Sequence, residues 1–364
     1  MHKTIAWPLA LVYAALIVYA SLYPFENWRA LGIAPWTFLT TPLPRYWTGF
    51  DILANLFGYA PLGFLLALSG LRARPRLPAV LAATLAGGLL SLALEALQNY
   101  LPGRVASNLD LALNLAGAWV GALTAFGLEK AGAIARWRRF RERWFVADAR
   151  GALVLLALWP VALLFPAAVP FGLGQVLERA EAALAEWLAD TPFLDWLPVR
   201  ETDLEPLLPA VELLCVMLGA LIPCLLAYSV SRGVWRRLVL ALSALVVGLA
   251  TSGLSAALSY GPVHAWNWLT LPVQVGVPAA LAVALLLLPL SRRACVAWLL
   301  LALVVHLSLL NNAPTSAYFA QTLQTWEQGR FIRFHGLAQW LGWLWPFAAL
   351  AYVLARLSRR EAEN

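Results

Sequence analysis

Three short stretches of the chain place a carboxylate one helical turn from a carboxamide or a hydroxyl. They are Asp51-x-x-x-Asn55, Ser91-x-x-x-Glu95-x-x-Gln98 and Asp110-x-x-x-Asn114, and the tight loop Leu101-Pro-Gly-Arg104-Val-Ala-Ser107 joins the last two. Spacings of three and four put each pair on one helical face. Faces of this kind recognise headgroups that carry hydroxyls, amides or phosphates, and a carboxylate shielded from water can also act as a general acid or base. Arg104 adds a planar fork of donors that suits a carboxylate or a phosphate. Tyr59, in Gly58-Tyr59-Ala-Pro61-Leu-Gly63, falls one turn beyond Asn55.

Each of these residues also has a structural reading. Asp51 and Asp110 open helical segments, where a carboxylate caps free N–H groups and complements the positive end of the helix dipole. Glu95 is different, because it sits near the C-terminal end of its segment, where the dipole disfavours a negative charge. Its neighbours are Leu94, Ala96 and Leu97, so it needs a partner, a proton or a water-filled cavity. Arg104 is the nearest cation in sequence, and a structural Glu95–Arg104 tie competes with a functional role. Further on, Gly117-x-x-x-Gly121 is a small-residue seam that lets helices approach closely, so the three polar faces can converge in one bundle.

The elements that position these residues must lie in a membrane. Of 364 residues, 62% are hydrophobic and 12% charged, and mean hydropathy is +0.73. A soluble domain is about 45–50% apolar and about 25% charged. Repeated apolar runs of about 20 residues match the thickness of a bilayer. A cytosolic enzyme, a disordered chain and a nucleic-acid binder are excluded despite the net charge of +7. About ten spans are expected, at residues 4–23, 52–71, 77–98, 109–128, 151–171, 206–228, 238–260, 269–290, 294–312 and 337–354. The first run is long for a signal peptide and points to an uncleaved helix. When the spans alternate, most of the 26 basic residues fall on one side, which the positive-inside rule makes cytoplasmic together with both termini.

The fold expected is therefore all-α, a polytopic integral membrane bundle. Residues 1–128 would form a four-helix domain, 129–150 a basic cytoplasmic linker on anionic headgroups, and 151–364 a six-helix region. Residues 174–205 include an outer amphipathic helix with Leu177, Ala180, Leu184 and Trp187 on one face. The aromatic stretch 24–50 reads as an interfacial cap. Cys215, Cys224 and Cys295 lie in apolar runs with no metal or redox spacing, and read as small core residues.

The polar motifs resemble those of the VanZ-like family. The resemblance rests on Asp51-x-x-x-Asn55-x-x-x-Tyr59-x-Pro61-Leu-Gly63 and on Glu95-x-x-Gln98-x-x-x-Pro102-Gly103-Arg104-x-x-Ser107-x-x-Asp110-x-x-x-Asn114-x-x-Gly117, with Ser21-Leu-Tyr-Pro24-Phe at the first outer edge. It covers roughly a third of the chain, and some members carry His where Asn55 stands. Residues 151–364 resemble the C-terminal region of longer members. The family takes its name from a protein associated with resistance to the glycopeptide teicoplanin. The resemblance thus implies an envelope role in the bacterial cytoplasmic membrane, but no mechanism.

The reading that follows is recognition of a headgroup at the outer leaflet, a cell-wall lipid precursor or a lipophilic glycopeptide, by Asp51, Asn55, Tyr59, Glu95, Gln98, Arg104, Ser107, Asp110 and Asn114. An intramembrane enzyme on a lipid-linked phosphate or glycan is the alternative, with Glu95 and Asp110 as acid/base candidates and Arg104 as anion clamp. It lacks a nucleophile with an adjacent base, and a divalent ion shared by Asp51, Glu95 and Asp110 would revive it. A transporter ranks third, because the polar residues crowd the outer ends and not the midplane. Secondary candidates are His306, alone in an apolar run, and the cationic group Arg330, Arg333 and His335, for which interfacial anchoring competes. Membrane lipids are the expected partners, and no cofactor, metal or nucleic acid is expected.

Overall fold

The computed structural model describes residues 6–22, 25, 28–30, 32, 34–44, 47, 49–71, 76–102, 104–165, 167–196, 207–313 and 332–361. These form twelve α-helices and no named strand: α1 (Ala6–Leu22), α2 (Gly49–Gly70), α3 (Arg76–Gln98), α4 (Asn108–Lys130), α5 (Ala133–Trp144), α6 (Arg150–Leu163), α7 (Leu177–Leu188), α8 (Pro209–Val230), α9 (Val234–Tyr260), α10 (Leu271–Leu286), α11 (Arg292–Asn311) and α12 (Ile332–Glu361). Helices α2, α3, α4, α8, α9, α11 and α12 are long and apolar enough to cross a membrane, and the chain is a polytopic helical membrane protein. Helices α1, α6 and α10 are apolar but shorter, at 17, 14 and 16 residues. All ten coincide with spans read from the sequence. The chain divides into two compact units, Met1–Phe140 and Arg141–Asn364.

In the N-terminal unit, α2 and α4 pack backbone to backbone. A Cβ on Gly117 would stand 2.2 Å from the Leu56 carbonyl oxygen, and one on Gly121 only 1.8 Å from that of Ala60. The seam expected at Gly117 and Gly121 is real, and α2 contributes its own member: a Cβ on Gly63 would meet the Ala118 carbonyl at 1.9 Å. Where lipid supplies no hydrophobic drive between helices, such close approach maximises dispersion contacts. Helix α1 is tied on by the Tyr13 hydroxyl, which donates to Gly58 O at 3.0 Å. The stretch before α2 is held down at three points. Arg29 N–H bonds Tyr100 O, Asn99 bonds Pro35 O and Asn108 bonds Thr41 O. Phe38 is its buried anchor, while Trp28, Trp36 and Trp47 stay exposed.

In the C-terminal unit, α8 is the hub, with nearly every residue from Cys215 to Val230 buried among α6, α9, α10 and α11. The three cysteines are free and buried, as their apolar settings imply. Two arginines that count towards the cytoplasmic charge in sequence are buried anchors. Arg237 Nη1 donates to the carbonyls of Leu288 and Leu290 just past α10, and its guanidinium lies over the Tyr228 ring. Arg356 bonds the Tyr352 hydroxyl and pairs with Asp148 at 3.4 Å.

The fifth span needs correction. Its helix ends at Leu163, not near Phe171, and the chain continues as a buried, non-helical segment to Val176. Pro170 removes a donor a helix would need, and irregular backbone at membrane depth is tolerated where protein buries and satisfies it. Ser255 Oγ donates to Leu164 O, Gly174 N–H to Gly342 O, and the Asn311 side chain bonds Gly174 O and the amides of Val176 and Leu177. Asn311 thereby also caps α7, whose Leu177, Leu184 and Trp187 are exposed. Phe171 has φ 61 and is 2% exposed, seated against Trp159 and Trp268. The left-handed conformation costs a bulky residue about 1–3 kcal/mol, and the notch that imposes it is cut by Gly219 and Gly248. A Cβ on Gly219 would lie 2.4 Å from Phe171 O, and one on Gly248 would press on both rings.

The seam predicts a contrast within α4. Gly121→Ala should lower stability by about 1–3 kcal/mol through overpacking. Gly127→Ala, where a Cβ meets nothing within 4 Å, should be neutral or stabilising by up to about 1 kcal/mol. Thermal unfolding of the two variants in detergent checks this.

Candidate functional site

Helix α4 starts where its sequence says it should. Ser107, extended at φ −134, is the N-cap, and its hydroxyl accepts the Asp110 amide at 3.3 Å. The backbone amide of Ser107 itself points the other way, into the Glu95 carboxylate, with Ser107 N to Glu95 Oε2 at 2.8 Å. The conflict in the sequence is thereby resolved. Glu95 is ill placed on its own helix but stands at the N-terminal end of α4, where amide hydrogens and the helix dipole favour negative charge. It is 4% exposed, so this contact holds a carboxylate within the folded membrane domain.

Two further bonds cross between helices. Asn55 Nδ2 on α2 donates to Asp110 Oδ1 on α4 at 2.9 Å, and Asn114 Nδ2 on α4 donates to Ser91 Oγ on α3 at 2.9 Å. Ser91 is fully buried and Asn114 is 4% exposed, with its Oδ1 unpartnered. The Tyr59 hydroxyl lies beside Ser91 and within electrostatic range of Glu95. The structure therefore brings Asn55, Tyr59, Glu95, Ser107, Asp110 and Asn114 into one polar layer at the junction of α2, α3 and α4, with Asp51 exposed a turn earlier on α2. Ser91 belongs to this layer as fully as these six residues read from the sequence. Its spacing of four from Glu95 was the available signal.

Gln98 and Arg104 also reach α1. Gln98 Nε2 donates to Ser21 O at 3.1 Å and Arg104 Nη2 to Ala20 O at 3.4 Å. Both carbonyls belong to the last turn of α1, where four C=O groups have no intrahelical donor and a cation is favoured. Among the described residues no three His, Cys, Asp or Glu side chains lie close enough to hold a metal ion, and Asp51, Glu95 and Asp110 form no such group.

Of the secondary candidates, His306 is fully buried in the C-terminal unit. Its ring faces the carbonyls of Leu173 and Cys215 without completing a hydrogen bond to either. Arg330 lies outside the described residues. Arg333 and His335 fall in the first turns of α12, and their side chains lie outside the description.

Residues 7–129 match the VanZ/LLP1 family model. The N-terminal region is VanZ-like. The match runs from the start of α1 to the last turn of α4 and takes in every residue of the polar layer. It stops before α5, leaving the C-terminal unit outside it. No curated protein and no solved structure gives a significant match to the chain.

The Glu95–Ser107 contact carries a prediction. Glu95→Ala should cost about 1–3 kcal/mol, because the Ser107 amide loses its acceptor in a buried setting. Glu95→Gln keeps an acceptor oxygen and should cost less than half as much. Denaturant or thermal unfolding in detergent, read by circular dichroism, gives the order.

Proposed function

We propose that the chain is a bacterial cytoplasmic-membrane protein of the cell envelope whose VanZ-like unit recognises a headgroup at the outer leaflet. The headgroup is a cell-wall lipid precursor or a lipophilic glycopeptide, and its capture lowers susceptibility to antibiotics of the teicoplanin type. The observation that carries this reading is Glu95. Burying a carboxyl group in a membrane domain is expensive, and such groups usually serve a ligand or an ion. Here one is held at the N-terminus of a helix, beside a second carboxylate on Asp110.

The layer is organised for recognition by hydrogen bonding. The ties Asn55–Asp110, Ser91–Asn114 and Ser107–Glu95 fix the side chains in place, so little ordering is left for the moment of binding. Asp51, Asn55, Ser107 and Asp110 are all exposed or half-buried, and they offer acceptors to a headgroup rich in hydroxyl and amide donors. The exposed Trp28, Trp36 and Trp47 belong to the segment tied down over the same end of the unit. Tryptophans favour the headgroup level of a bilayer. The basic-residue bias of the loops supports the outside for that end, and the exposed apolar face of α7 suits an interfacial helix in its own unit.

Replacing both carboxylates, in Glu95→Ala/Asp110→Ala, should return the teicoplanin susceptibility of an expressing strain to that of the strain without the protein. Because loss of the Glu95–Ser107 contact also weakens the fold, membrane abundance is followed by immunoblot and susceptibility is compared at matched abundance. A double variant that is present at normal levels and protects as well as the parent would remove the site assignment.

A further inference from the structure

The C-terminal unit contains a cavity of about 660 Å³ that the VanZ-like layer does not touch. Its volume is that of a small-molecule site. It opens between the buried segment after α6, the start of α8, the end of α9 and the turn before α10. Its lining is uneven in charge: among the described residues Glu212 is the one carboxylate and there is no Lys or Arg. Among the described residues no cation lies within ion-pair distance of Glu212. Glu212 stands in the first turn of α8.

The walls are aromatic, from Phe171, Tyr260 and Trp268. Phe171 is the residue held in the left-handed conformation, and its ring meets Trp268 edge-on with centroids 6.0 Å apart. At the rim the His264 ring is fixed by a hydrogen bond between its Nδ1 and the Asn267 amide, 2.9 Å apart. A strained buried aromatic, seated in a notch made by two glycines, is a wall shaped before any ligand arrives.

We infer that this cavity is a binding site for an organic cation carried on an apolar body. The carboxylate of Glu212 takes the charge, and the aromatic walls take the body and the cation's face. The ammonium of a lipid headgroup and that of a soluble amphiphilic amine share this chemistry. The site is separate from the proposed headgroup layer and stands without it.

The test uses the full chain in nanodiscs of phosphatidylglycerol with radiolabelled tetraphenylphosphonium as probe. Tetraphenylborate, of the same shape and opposite charge, is the competitor that separates charge from hydrophobicity. Saturable binding of about one probe per chain is expected, undisplaced by tetraphenylborate. Glu212→Gln should weaken it about tenfold or more, whereas Glu212→Asp retains it within about threefold, the range separating loss of a half-buried charge from its displacement. Glu95→Gln, in the other unit, should leave it unchanged, so failure here and failure of the headgroup reading are told apart. Equal binding of the two ions, or an undiminished Glu212→Gln variant, overturns the inference. Should Glu212→Gln not fold, the comparison of the two ions on the parent chain decides. Adding phosphatidylethanolamine to the nanodiscs then identifies the source. Competition by it assigns the site to a lipid ammonium, and its absence assigns the site to a soluble amine, both within the inferred chemistry.

Discussion

The amide of Ser107 donates to the carboxylate of Glu95, and much of the N-terminal unit is arranged around that bond. It joins the end of α3 to the start of α4 across the intervening loop, and gives a buried carboxyl group a backbone donor. With that loop set, the Ser107 hydroxyl can cap α4 through the Asp110 amide. Asp110 is then presented to Asn55, and Asn114 falls opposite Ser91. The backbone contact at Gly63, Gly117 and Gly121 supplies the closeness these short side chains require. Bulkier residues on that seam would move α2 from α4 and part Asn55 from Asp110.

The same physical demand shapes the C-terminal unit, where water is not available to satisfy irregular backbone. Polar side chains are spent on carbonyls and amides. Asn311 bonds three backbone groups at the turn into α7 and Leu307 O of its own helix, Arg237 serves two carbonyls beyond α10, and Ser255 closes the end of α6. Trp345 adds an indole bond to Leu155 O between α12 and α6. Residues that look in sequence like candidates for chemistry or for topology are here the price of a membrane helix that stops early. The cavity at Glu212 differs because its carboxylate has no such duty.

Local features were legible to different depths. Ten apolar helices could be located from hydropathy because length and composition are properties of one segment, but the cap of α4, read from the sequence as Asp110, is Ser107, whose hydroxyl accepts the Asp110 amide. The small-residue seam was legible on α4, but its match on α2, Gly63, was not, since register between helices is not written in either alone. Span five was overextended because Phe165, Val169 and Phe171 are apolar enough to continue a helix. They are apolar because they are buried as irregular backbone, and hydropathy does not separate the two cases.

By itself the sequence determined that this is an all-α membrane chain, where most of its helices run, and which carboxylates and amides share a face. Those are consequences of hydropathy and of the 3.6-residue turn, both local. The tertiary structure alone decided what each polar group meets. Glu95 finds the helix end of α4, Gln98 and Arg104 serve the carbonyls of α1, and Arg237 is drawn beneath α10. The reason is that a hydrogen bond inside a bilayer goes to whatever unsatisfied group lies within 3 Å or so. Partners separated by 12 to 84 positions are set by how backbones pack, not by the spacing of residues along them.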